Sequence, residues 1–299
     1  CGSGPHGKRH QLVADADAED GKAGIDDCGN FACRVATSGG WVARLIQNGV
    51  DVQVFDPDPE APRKIEAVMA NADHAIAKLT MAPMPTPGRL RFAASIADAV
   101  AAAELIVEAV PERLEVKHAV YAEIEAAAKP DAIISSSTSG IMPTDLQAGM
   151  GHPGRLLVGH PFNPVYLLPL VELVGGKATE AETITCAGAY FTSIGMHPLP
   201  LAKEIEAFVA DRFLEAVWRE ALWLVKDGIA TTKEIDDAIR FGFGLRWAQM
   251  GLFETYRVAG GEAGMAHFIA QFGPCLKWPW TKLMDVPELT DELVQTISD

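Results

Sequence analysis

From Gly39 to Leu201 the chain alternates short apolar strand patterns with helical ones, and that alternation restricts it to a sheet covered on both faces by helices. A helical stretch through Val42, Leu45 and Ile46 stops at Asn48 and Gly49, and Asp51 to Phe55 then alternates as a strand closed by Asp56. Pro59 opens a helix running to about Leu79, and a loop holding Pro83, Pro85, Pro87 and Gly88 leads to a short strand at Leu90 to Phe92. After another helix come a strand at Leu105 to Val110, a helix from Glu112 to Ala128 stopped by Lys129 and Pro130, and a buried strand at Ala132 to Ser136. Strands at Leu156 to Gly159 and Leu170 to Val174, a helix from Glu180 to Ile194 capped by Gly195, and a strand at His197 to Leu201 complete the pattern. Past Ala202 the spacing predicts helices alone: Ala207 to Lys226, Lys233 to Arg240, Trp247 to Val258, Glu262 to Phe272 and Glu288 to Ser298. The expectation is an α/β fold with a doubly wound, mostly parallel sheet over residues 1–200, followed by an all-α domain over 201–299.

Composition narrows the function. At 299 residues, two domains are expected. The formal net charge of −15, without any basic run, disfavours nucleic acid and anionic lipid as partners. The longest apolar runs, such as Ala99 to Val110, are broken by Glu104 and Glu108 and fall short of the ~20 apolar residues that cross a bilayer, so no membrane partner is expected. Cysteines at 1, 28, 33, 186 and 275 form no close metal-ligand cluster and, being odd in number, no tidy disulfide framework, which fits a reducing cytoplasm. The chain begins with Cys1, and residues 1–38 are irregular and lack the apolar core of a signal peptide. A fragment boundary, a processing product and a sequence error are all compatible with that start.

A dinucleotide-binding fold of the Rossmann type carries G-x-G-x-x-G between its first strand and first helix, because only glycine lets the backbone approach the pyrophosphate. Counted back from the helix, those three positions fall on Cys33, Val35 and Ser38, leaving only Gly39 and Gly40 to meet phosphates. A literal match at Gly2, Gly4 and Gly7 follows no strand and opens no helix, so it is read as a decoy. The acidic residue that hydrogen-bonds the adenosine ribose is present as Asp56, which selects NAD over NADP, although Asp-Pro-Asp-Pro is also a turn signal.

The catalytic candidates cluster at strand ends. Ser135 to Gly140 closes a strand with hydroxyls that could reach a substrate or could simply cap a turn before Pro143. Val158 to Pro164 closes the next, placing His160 at its end and Asn163 in the loop. Glu172 lies between Val171 and Leu173, where an unpaired charge would be costly, so it needs a partner. With His160 as that partner, the carboxylate holds the imidazole in one tautomer, ready to take an alcohol proton while hydride goes to a nicotinamide.

The motifs Val107 to Glu112 (VEAVPE), Ser136 to Ser139 (SSTS), Gly159 to Pro164 (GHPFNP) and Phe241 to Met250 (FGFGLRWAQM) together resemble the 3-hydroxyacyl-CoA dehydrogenase superfamily from about Gly39 to Asp299. The resemblance implies NAD-dependent oxidation of a 3-hydroxy acid in a homodimer. It also implies His160 as general base, Glu172 as its orienting partner and Ser136 as a donor to the reacting oxygen, with Glu112, Lys117 and Asn163 lining the nicotinamide side. Two departures stand out: Asp211 replaces the asparagine that acyl-CoA enzymes carry in the first helix of the second domain, and the loop glycines are missing.

Acyl-CoA members carry a lysine-rich helical pair suited to phosphates, whereas Pro59 to Thr80 has only Arg63, Lys64 and Lys78 against Glu60, Glu66 and Asp73. A CoA ester is therefore disfavoured, and the resemblance implies a small zwitterion, carnitine, as the expected substrate. Its quaternary ammonium would be held by aromatic faces and carboxylates. Phe241, Phe243, Trp247, Phe253 and Tyr256 lie in one segment with Glu254; Phe253 is singled out as the contact, Arg246 as the carboxylate's partner, and Ser139 and Asp211 as further substrate residues. Core or interface packing is the other reading of those aromatics. The rival functions are a 3-hydroxybutyryl-CoA or sugar-acid dehydrogenase, and an inactive structural or ligand-binding relative with a defective loop.

Overall fold

The computed structural model describes residues 33–34, 39–79, 83–274, 288 and 290–298. The decoy glycines, Val35, Ser38, Cys1, Cys28 and Cys275 lie outside them. Two compact units are distinguished, 1–204 and 205–299.

In the first unit the strands are β1 (Cys33–Arg34), β2 (Val52–Val54), β3 (Leu90–Phe92), β4 (Leu105–Glu108), β5 (Ile133–Ser136), β6 (Leu156–Pro161), β7 (Leu170–Gly175) and β8 (His197–Leu201). The helices are α1 (Gly39–Gln47), α2 (Ala61–Leu79), α3 (Ile96–Val100), α4 (Leu114–Ala127), α5 (Pro143–Leu146) and α6 (Ala181–Ser193). They build one eight-stranded sheet in the order β3-β2-β1-β4-β5-β6-β7-β8. Pairing is parallel except between β6 and β7. β4 and β5 are buried along their whole length, as strands covered on both faces must be, which is why they read as continuous apolar runs. β1 pairs with β2 on one side and β4 on the other, so the chain reverses its direction of travel across the sheet there. Clefts for ligands open at the carboxyl ends of strands flanking such a reversal. Cys33, read as the first glycine position of the loop, is itself a ladder residue of β1, opposite Val52 and Leu105.

Trp41 of α1 ties helix to sheet. It is fully buried, packs its ring on Phe191 of α6 at a centroid distance of 5.4 Å, and donates its Nε1 hydrogen to Ser137 Oγ at 3.0 Å. The aromatic burial and the satisfied indole together fix α1 against the end of β5.

The second unit holds α7 (Ala210–Lys226), α8 (Thr232–Ala238), α9 (Gly244–Ala259), α10 (Gly264–Phe272) and α11 (Asp291–Ser298). α7 starts three residues later than the sequence pattern suggests, because Ala207 and Phe208 adopt positive φ (56° and 48°); Phe208 is fully buried. α8 begins at a capping box in which Thr231 and Glu234 each satisfy the other's backbone. A π-helical turn over Ile239–Phe243 follows, and α9 is broken at Gly251 (φ 67°, ψ −171°), a conformation glycine adopts at little cost. Among the described residues no helix is long and apolar enough to cross a membrane.

Gly195 ends α6 at φ +73°, and a Cβ added there would meet nothing closer than 3.9 Å, so the backbone alone demands glycine. Gly195→Ala is expected to lower the unfolding free energy by about 1 to 2 kcal/mol without changing the urea m-value.

Candidate active site

Sheet register places the key side chains. Glu108 lies opposite Ser136, Ser136 opposite Val158, and Val158 opposite Val174. Two residues further along β6, His160 faces Glu172 across the antiparallel pair. Because side chains alternate along a strand, Glu108, Ser136, His160 and Glu172 all stand on one face of the sheet, at the carboxyl ends of β4, β5 and β6.

His160 Nδ1 lies 2.9 Å from Glu172 Oε2, with Glu172 fully buried and His160 only 4% exposed. A carboxylate can only accept, so Nδ1 carries the hydrogen of this bond. Phe162 packs edge-on against the imidazole at 5.5 Å. A Cβ on Gly159 would approach Ser135 Oγ to 2.3 Å, so a larger residue there requires the Ser135 hydroxyl to turn away.

Beside this pair is a buried polar network that the sequence reading did not assemble. Glu108 Oε1 accepts from Lys117 Nζ (2.8 Å) and the Val110 backbone N–H (2.7 Å), and Oε2 accepts from Tyr121 Oη (2.6 Å) and Ser136 Oγ (2.7 Å). Lys117 and Tyr121 are one helical turn apart on α4, so both fall on its buried face. Burial and the neighbouring Glu108 charge push the Tyr121 hydroxyl pKa upward, keeping it a donor. Lys117 also reaches Glu112 Oε2 at 3.4 Å. Glu112 in turn accepts from Thr138 Oγ1, from Ser139 N at 3.1 Å and from Gly140 N at 3.2 Å. Partial burial opposes the Glu112 charge, but the Thr138 hydrogen bond, the Lys117 charge and the Gly140 N–H outweigh it and hold the carboxyl below its ordinary value. Glu108 carried the same signal that picked out Glu172, a carboxylate inside an apolar strand.

The remaining sequence candidates are distributed as follows. Asp56 sits past the end of β2, takes the Asp58 N–H at 2.9 Å, and lines a cavity of roughly 720 Å3 with Gly39, Phe55, Ile65, Val100, Glu108, Val110 and Pro111. That volume is in the range of small-molecule and cofactor sites. Its lining is apolar apart from the carboxylates of Asp56, Asp58 and Glu108 and the ammonium of Lys64. Gly39 and Gly40 open α1, where added Cβ atoms would crowd Val68 at 3.0 Å and Val165 at 3.1 Å; of the two glycines, Gly39 lines the cavity. Ser139 and Asn163 are exposed, the latter preceding a cis proline bond.

Asp211, Arg246 and Phe253 belong to the second unit. Asp211 is in the first turn of α7, and Arg246 and Phe253 lie on α9 either side of the break at Gly251. The aromatic segment is not one patch. Phe243 and Trp247 pack together at 4.7 Å, Tyr256 stacks on Phe268 at 4.7 Å, and Phe241 and Phe253 are exposed. Glu254, offered by the sequence to a cationic group, is paired with Arg257 at 2.9 Å.

Residues 37–205 match the family described as 3-hydroxyacyl-CoA dehydrogenase, NAD binding domain, and residues 208–292 match its C-terminal domain. The chain belongs to the 3-hydroxyacyl-CoA dehydrogenase family. Within that family it is 65% identical over 260 residues to L-carnitine dehydrogenase of Mesorhizobium japonicum, covering 87% of this chain and 71% of that one. It is 62% identical over 260 residues to L-carnitine dehydrogenase/betainyl-CoA thioesterase of Agrobacterium fabrum, where the match covers 87% of this chain but 53% of that longer protein. Among solved structures, the NAD+-dependent FHMPC 5-dehydrogenase is 28% identical with a TM-score of 0.76, covering 88% of this chain and 86% of the other. The family's fold, an NAD-binding domain with a mostly parallel sheet followed by a helical domain, is the one described above.

The lowered Glu112 pKa carries a sign. A folded-state value below the unfolded one contributes stability that is present above the ordinary carboxylate range and lost as pH falls through the folded value. The stability gap between wild type and Glu112→Gln, measured by urea unfolding, is expected to be widest near neutrality and to shrink as pH drops below about 4.

Proposed function

We propose that this protein oxidises the 3-hydroxyl of L-carnitine to the ketone with NAD as acceptor, in the manner its L-carnitine dehydrogenase relatives are named for. The observation that carries the reading is the buried His160–Glu172 pair on the ligand-facing end of the sheet.

Glu172 holds Nδ1–H, and Nε2 of His160 takes the hydroxyl proton as the carbinol hydrogen departs. NAD, when bound, supplies the hydride acceptor. Asp56 and Gly39, which line the cavity past β2, are assigned to the adenosine half of the cofactor, and Glu112, Lys117 and Asn163 to the nicotinamide side. Ser139, Asp211, Arg246 and Phe253 are assigned to the substrate, Arg246 facing its carboxylate and Phe253 its ammonium. We further assign the protein to the cytoplasm as a homodimer joined through its helical unit. Exposed Phe213, Leu214 and Trp218 on α7 suit such an interface.

The charge on α2 favours a zwitterion over a CoA ester. Arg63 is paired with Glu60 at 2.7 Å and Lys64 with Asp58 at 2.6 Å, so acidic neighbours offset both charges on this surface. Purified protein given NAD and L-carnitine is expected to form NADH, followed by its absorbance, and to leave 3-hydroxybutyryl-CoA essentially unused. Turnover of the CoA ester alone would overturn the substrate assignment. Absence of NAD binding by calorimetry would favour the inactive relative.

A further inference from the structure

The carboxylate of Glu108 is used by nothing in the mechanism above, yet it is the most heavily hydrogen-bonded side chain at the site. It is 1% exposed and accepts from four donors, those of Lys117, Tyr121, Ser136 and the Val110 backbone. Burying an ion pair such as Glu108–Lys117 returns little net stability, because desolvation offsets the attraction, so stability alone is a poor account of it. What the pair does fix is direction. Ser136 must give its hydroxyl hydrogen to Glu108 Oε2, at 2.7 Å, since an ionised carboxylate has none to give back. The Ser136 oxygen then has only lone pairs left for the face it shares with His160, and the Thr138 N–H, at 3.4 Å, draws on them weakly.

We infer that Glu108 is a positioning residue of the reaction: by taking the Ser136 hydrogen it turns Ser136 into a hydrogen-bond acceptor at the site, where the family resemblance implied a donor. The inference rests on the proposed dehydrogenase reading, since it needs a reaction that Ser136 serves. Ser136 would accept from an N–H or O–H of the bound cofactor or substrate, and Glu108 acts on the reaction through Ser136 without touching either. Glutamine at position 108 can donate an amide hydrogen to Ser136 Oγ and release the hydroxyl outward, reversing the polarity that the carboxylate imposes.

The test is a double-mutant cycle with Glu108→Gln, Ser136→Ala and the pair, reading kcat and KM with L-carnitine and, separately, NAD affinity by calorimetry. Each single variant is expected to lower kcat by about tenfold, the cost of one hydrogen bond involving a charged group. Adding Glu108→Gln to Ser136→Ala is expected to change neither kcat nor NAD affinity by more than twofold. Multiplying effects, or a Glu108→Gln enzyme with wild-type kcat, would overturn the inference. If Glu108→Gln fails to fold by circular dichroism, the same cycle is run with Glu108→Asp, which keeps a buried carboxylate beside Lys117 but draws it back from Ser136. A wild-type protein inert toward L-carnitine refutes the substrate assignment instead; the cycle is then read with 3-hydroxybutyryl-CoA.

Discussion

The antiparallel register of β6 and β7 is the constraint on which the site depends. It sets His160 directly opposite Glu172, and the pair is closed off from water by the strands on either side. A buried carboxylate deprived of its partner costs about 3 to 5 kcal/mol, so the fold and the geometry of this pair are not separable here. Any slip of one residue would send one partner to the opposite face and leave the Glu172 carboxylate without the His160 N–H. On the other face of β6, Gly159 sits against the Ser135 hydroxyl, which would have to turn away to admit a Cβ.

The same face carries a second solution to the same problem. Glu108 and Lys117 are buried together, with Tyr121, Ser136 and the Val110 N–H completing the acceptor capacity of the carboxylate. Glu112 extends this network outward, holding the backbone of Ser139 and Gly140 in the loop after β5. Two carboxylates from β4 and β7 thus bracket the hydroxyl of β5 and the imidazole of β6. The polar chemistry lies at the carboxyl ends of the strands because only there does an otherwise apolar sheet open toward a ligand.

Much of the fold was legible because period and punctuation agree. α1, α6 and the central strands lie within a few residues of where apolar spacing, Asn48–Gly49 and Gly195 place them. Glu172 was legible as a charge in an apolar strand, and its partner followed from His160 at a strand end. Glu108 carried the same signal but was read as an interruption of an apolar run, and its donors come from α4, whose inward face only the fold reveals. The aromatics from Phe241 to Tyr256 looked like one patch because they are close in sequence. A π-helical turn and the break at Gly251 send them to different surroundings. Cys33 was placed in the loop by counting back from α1, whereas ladder hydrogen bonding makes it part of β1.

The central claim is that His160 takes the substrate proton while Glu172 holds it in place. The most direct measurement is single-turnover NADH formation by His160→Asn, followed by stopped-flow absorbance, with NAD affinity measured in parallel. Asparagine can still donate to Glu172 but offers no basic nitrogen, so hydride transfer is predicted to fall by about 100-fold or more with NAD affinity nearly unchanged. Hydride transfer at the wild-type rate in that variant would contradict the account.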